Sequence, residues 1–146
     1  MAQVTATAER MIDAPPAQVA AALADYETVR PRILTEHFFD YRVEAGGHGD
    51  GSRVHWKLAA TSKRVRDQLV DVATSAENTL VERDAHSSMV TTWTVTPAGA
   101  GSAVHVRSTW NGASGIGGFF ERTFAPKGLR RIYDGVLANL DDAVRG

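Results

Sequence analysis

Apolar and polar residues alternate along most of this chain, and the period changes only where helices are predicted. Gln3 to Asp13 alternates and is rich in Val, Thr and Ile, the mark of a first strand. Pro15-Pro16 follows, then a run of strong helix formers from Ala17 to Ala24, with Val19 and Leu23 four apart on one face. A short second helix is predicted over Thr28–Leu34, interrupted at Pro31. Period-two segments return at His37–Glu44, Arg53–Thr61, Val65–Ala73, Thr79–Asp84, Ser88–Thr96 and Ala103–Trp110, separated by Gly, Pro, Asn and Ser. The Gly-rich stretch Asn111–Gly118 reads as a loop. From Leu129 the apolar residues Ile132, Tyr133, Val136, Leu137, Leu140 and Val144 fall at helical spacing, predicting one long helix. Pro126, just before it, is expected to kink or break that helix.

The faces of several strands follow from the alternation. Val54, Trp56 and Leu58 share a dry face, while Arg53, His55 and Lys57 share a wet one. If Val95 pairs with Val104 across the turn Pro97–Ser102, then Trp93 meets Val106, Thr91 meets Ser108 and Met89 meets Trp110, all on one face. Seven such strands make a sheet roughly 30 Å wide, and a single helix covers only about 10–12 Å of it. The sheet is therefore expected to curl around the helix and leave a cavity lined by dry-face residues. A solid core filled by the tryptophans is the competing outcome.

Composition narrows the picture without deciding it. The 146 residues carry 43% hydrophobic and 23% charged side chains, which fits one globular domain spanning 1–146. Net charge is −1, so no bulk attraction to nucleic acid is indicated. There is no cysteine, which removes disulfides, thiolate nucleophiles and Cys-ligated metals. No signal peptide or apolar run of membrane-spanning length is visible, and a cytoplasmic location is expected.

The strand ending Ile12-Asp13-Ala14-Pro15-Pro16, the helix holding Val19 and Leu23-Ala24-Asp25, the meander, Trp93-Thr94-Val95-Thr96-Pro97 and the long C-terminal helix together resemble the START-like (SRPBCC) superfamily, in its polyketide cyclase/dehydrase-like branch. The resemblance covers nearly the whole chain. It implies an α+β helix-grip fold of the START/Bet v 1 type: a curved seven-stranded antiparallel sheet around a long C-terminal helix, with two short N-terminal helices. It also implies an apolar tunnel between sheet and helix. Members include lipid carriers, hormone receptors and aromatase/cyclases. No cyclase motif in this sequence can be matched residue by residue.

The expected partner is a small hydrophobic molecule, lipid or polyketide-like, with no cofactor and no nucleic acid. Its expected lining is Trp56, Leu58, Met89, Trp93, Val106, Trp110 and Tyr133, with Phe119, Phe120 and Phe124 as plug or gate. An aromatase/cyclase or dehydratase acting on a poly-carbonyl chain is a second reading, and an interaction module with a filled core a third. The five histidines lack metal-ligand spacing, so no metal site is expected. His37, near the helix junction, is the weak candidate for proton transfer. Asp67, Asp71, Glu82 and Asp84 are expected to point outward by default; one turned inward becomes a candidate acid or base. Two basic groups, Lys63-Arg64-Val65-Arg66 and Lys127, Arg130, Arg131, read as solvated faces.

Overall fold

A computed structural model describes residues 3–61, 64–111 and 115–145; at 60, 61, 64 and 115–125 it describes the backbone alone. The order is β1 (Gln3–Ile12), α1 (Pro16–Ala24), α2 (Arg30–Ile33), β2 (Phe38–Ala45), β3 (Arg53–Thr61), β4 (Arg64–Ala76), β5 (Thr79–Asp84), β6 (Val90–Ala98), β7 (Gly101–Asn111) and α3 (Gly115–Arg145). The strands form one antiparallel sheet in the order β1-β7-β6-β5-β4-β3-β2. α3 packs against β1 and β3, and against both short helices. This is the expected α+β helix-grip fold.

The hairpin register agrees with the pattern: Val95 faces Val104, Trp93 faces Val106 and Thr91 faces Ser108. Met89 precedes β6, so its pairing with Trp110 does not form. The turn is tighter than expected, because Pro97 pairs with Ser102 and only Gly99 and Ala100 remain between Ala98 and Gly101. Proline is tolerated there for a local reason. β5 pairs with β6 only from Val90 to Thr94, so the missing N–H of Pro97 interrupts no ladder on that side. Gly99 supplies the left-handed turn conformation (φ 58°).

Two further differences concern the C-terminal segment and β2. α3 begins at Gly115, so Gly115–Gly118 belongs to the helix and not to a loop; Pro126 lies inside a helix that continues on both sides of it. In β2 the register shifts between Phe39 and Arg42, and Asp40 takes a positive φ of 54°. This bulge sends Tyr41 toward the core, where it stacks on Trp56 (centroids 6.2 Å apart) and donates its hydroxyl to the Tyr26 carbonyl at 2.6 Å.

The core lies in the trough between sheet and helix. α3 contributes Leu129, Ile132, Tyr133, Val136, Leu137 and Leu140. The sheet contributes Val54, Trp56, Leu58, Val70, Val72, Trp93, Val104 and Val106, all buried. Val19, Leu23, Tyr26 and Ile33 close one end.

Candidate functional site

The turn between α1 and α2 builds the first part of the site. Asp25 accepts hydrogen bonds from the backbone N–H groups of Glu27 (3.1 Å) and Thr28 (3.0 Å), an Asx-type turn. The Asp25 carbonyl also accepts from the Arg30 backbone N–H at 2.9 Å. Tyr26 is tied to Gly47, its N–H donating to that carbonyl at 2.8 Å. Tyr26 and Arg30, four residues apart, are thereby both directed into the trough, where each is buried.

β5 supplies their partner. Glu82 faces Thr91 across the β5–β6 ladder, and Thr91 lies on the concave face, so Glu82 points inward and is 3% exposed. Asp84 also turns inward on the same strand. Outward placement therefore fails for Glu82 and Asp84, while Asp67 and Asp71 remain exposed. The physical reason is the strand period: Leu80 must be buried, and residues 82 and 84 share its face.

Glu82 gathers three donors. The Arg30 guanidinium meets Oε2 at 2.8 Å, the Tyr26 hydroxyl donates to Oε2 at 2.5 Å, and the Trp93 indole N–H donates to Oε1 at 2.9 Å. Arg30, 1% exposed, also donates from Nε to the Leu23 carbonyl at 2.8 Å. Its guanidinium carbon lies 4.7 Å from the ring centres of both Tyr26 and Trp93. Beside this pair runs a chain of hydroxyls: Thr91 and Ser108 are 2.6 Å apart, and Ser108 hydrogen-bonds Tyr133 of α3. Tyr133 packs edge-on against Trp93. Burial, reinforced by Glu82, pushes the Tyr26 phenol well above its usual range although the Arg30 charge opposes this. Burial pushes Tyr133 up to about 12, against the opposing pull of its bonds to Ser108 and Thr91. Burial weakens the Arg30 charge, but Glu82 and the tyrosines outweigh it and raise its pKa.

These side chains surround an inner chamber between the sheet and α3. Its free volume is about 20 Å³, room for little more than one water. Trp56, Leu58, Met89, Trp93 and Tyr133 line it, together with Arg30, Gln68, Glu82, Asp84 and Thr91. Val106 and Trp110 are buried on the same side of the sheet but are not part of this lining. The side chains of Phe119, Phe120 and Phe124 lie outside the described residues, as do those of Lys63 and Arg64. His37 is half-buried, its Nδ1 2.9 Å from the Thr35 hydroxyl, and does not reach the chamber. His55 lies on the outer face against Asp67 at 2.7 Å. Among the described residues, no three His, Cys, Asp or Glu are placed to hold a metal ion. No helix among them is long and apolar enough to cross a membrane.

The expected apolar lining thus meets a polar cluster. Glu82 and Asp84 were candidates for an inward turn, but the burial of Leu80, Val81 and Glu82 in succession hides which face they take until the β5–β6 register is known. Arg30 sits in a helix of four residues with too little periodicity to assign a face.

Comparison with known proteins agrees with this architecture. The family model described as "Polyketide cyclase / dehydrase and lipid transport" matches residues 1–145. The solution structure of the KanY protein is 53% identical, with a TM-score of 0.91 and full coverage of both chains. The Zhui aromatase/cyclase from Streptomyces sp. R1128 is 12% identical (TM-score 0.80; 99% of this chain, 94% of that one), and Ara h 8.0201 is 14% identical (TM-score 0.67; 98% of each); both likenesses show the fold. No curated protein matches the sequence. Fold and family model together establish that the chain belongs to the polyketide cyclase/dehydrase and lipid-transport family, within the START-like (SRPBCC) superfamily.

Proposed function

We propose that this protein binds a small lipophilic molecule, of lipid or polyketide type, between the sheet and α3. The observation that carries the reading is the convergence of Arg30, Glu82, Thr91 and Tyr133 on one chamber that Trp56, Leu58, Met89 and Trp93 also line. A buried ion pair is costly to desolvate, and packed apolar residues in its place often hold a fold as well or better. The donors of Arg30 and Trp93 are met by Leu23 and Glu82, and Tyr133 is bonded to Ser108; they would suit the oxygen atoms of a guest that takes the place of those partners. Tyr133, with its pKa near 12, keeps its proton at neutral pH and serves as a donor. Trp56, Leu58, Met89 and Trp93 offer the apolar contact, and Phe119, Phe120 and Phe124 stay in the proposed lining as plug or gate. At about 20 Å³ the chamber must open to admit a guest.

The same convergence supports a second reading, cyclisation or dehydration of a poly-carbonyl substrate, because several titratable groups meet in the lining. Arg30 and Tyr133 would then polarise a carbonyl oxygen of the substrate through hydrogen bonds. His37 has no part in that step, because it stands outside the chamber.

Native mass spectrometry of freshly purified protein tests the binding reading. A non-covalent adduct that is released on denaturation is the expected result. The bare chain mass alone, with no uptake of 1-naphthol up to its solubility limit, would overturn it and favour a filled-core interaction module.

A further inference from the structure

A second cavity lies on the other side of Trp93. It measures about 270 Å³ and opens between α1 and the β4–β5 end of the sheet. The helix side is formed by Ala17, Ala20, Ala21 and Ala24, the sheet side by Leu80 and Val95, and Thr74 and Thr79 add hydroxyls. No charged side chain among the described residues lines it. Trp93 is the one residue among those described that lines both this cleft and the inner chamber.

The partition is held from the chamber side. Its indole N–H donates to Glu82, its ring lies under the Arg30 guanidinium, and the ring packs in a T-shape with Tyr133. A molecule that displaces it must replace what it gives: a flat ring for the cation, and an O–H or N–H donor for the carboxylate. Otherwise Glu82 is left with a buried, unmet lone pair.

We infer that guests reach the chamber through the α1 cleft, with Trp93 as a movable partition. The favoured guest is an uncharged ring system bearing a hydroxyl or N–H donor. The inference rests on the binding reading above, and adds to it a route, a partition residue and a chemical class.

The test uses the intact chain and two probes: 1-naphthol, and 1-methoxynaphthalene, which has the same ring and no donor. Binding is followed by NMR, with the Trp93 indole N–H signal assigned through its loss in Trp93→Phe. Ala21→Phe and Thr74→Phe obstruct the cleft from opposite sides at exposed positions, away from the buried polar cluster. The expected result has three parts. 1-Naphthol shifts the Trp93 indole signal, binds at least tenfold more tightly than the methoxy probe, and associates at least tenfold more slowly with each variant, as read from exchange line shapes. Unchanged association rates in both folded variants would overturn the route while leaving the binding reading intact. Equal affinity for the two probes would overturn the donor requirement. No binding of either probe by the wild-type chain would remove the binding reading and this inference together.

Discussion

Arg30 and Glu82 form a buried ion pair at the centre of the chamber wall, and their energetics are asymmetric. Both are buried and each is the other's ionic partner, so removing one strands the other. Arg30→Met is expected to cost about 3–5 kcal/mol. The double variant Arg30→Met/Glu82→Leu is expected to cost clearly less than the two single changes added together, as measured by urea denaturation. Additive losses would show that the pair acts as two independent contacts. Tyr133 provides a second measurement at this scale. Burial holds its phenol near 12, whereas an exposed tyrosine titrates near 10, so the folded state disfavours the phenolate. Its contribution is fully present below about pH 10 and is lost as pH climbs toward about 12, by roughly 2–3 kcal/mol. Tyr26 and Tyr41, both raised, act in the same direction. Stability measured against pH is expected to fall less steeply above pH 10 in Tyr133→Phe than in the wild type; parallel curves would contradict this assignment.

Strand elements were readable where alternation and turn residues agreed, and misread where tertiary pairing decided. β3 and the β6–β7 hairpin kept the faces that their side chains announce, with Val54, Trp56 and Leu58 inward and Val95 facing Val104. β5 was harder because Leu80, Val81 and Glu82 are all buried in succession, which erases the alternation at its centre. The faces of β4 emerge only from its pairing: Gln68 and Val70 lie inward, and Gln68 accepts the Trp56 indole N–H at 2.8 Å. The start of α3 was hidden by its glycines, whose weak helix propensity the fold overrides. Gly101 shows how closely neighbouring strands approach. A Cβ there would sit 2.4 Å from the Ile12 carbonyl oxygen, a backbone atom that cannot swing aside. Gly101→Ala is therefore expected to destabilise by about 1–3 kcal/mol, visible as a lower urea midpoint. An unchanged midpoint would mean that the end of β1 is free to move.

At the scale of the whole molecule, the curled sheet around one helix was legible from the chain, but the amount of empty space was not. Counting backbone widths ignored how far long side chains reach: Arg30 enters from α2, Tyr26 from the turn before it and Tyr41 from the bulge in β2. Together they narrow the expected tunnel to a chamber of about 20 Å³, with the larger free volume displaced to the α1 side of Trp93. Tyr41 could not be placed from sequence, because a bulge reverses the face of every residue after it. The candidate lining was thus partly visible as an aromatic face, while the charges at its centre required two elements distant in sequence, α2 and β5, to meet. Intermolecular NOEs in the protein saturated with 1-naphthol report most directly where a guest sits. Contacts are expected from the probe's ring protons to Leu58, Met89 and Tyr133 side chains within the chamber. A saturated complex whose contacts avoid every chamber residue would contradict the proposed binding site.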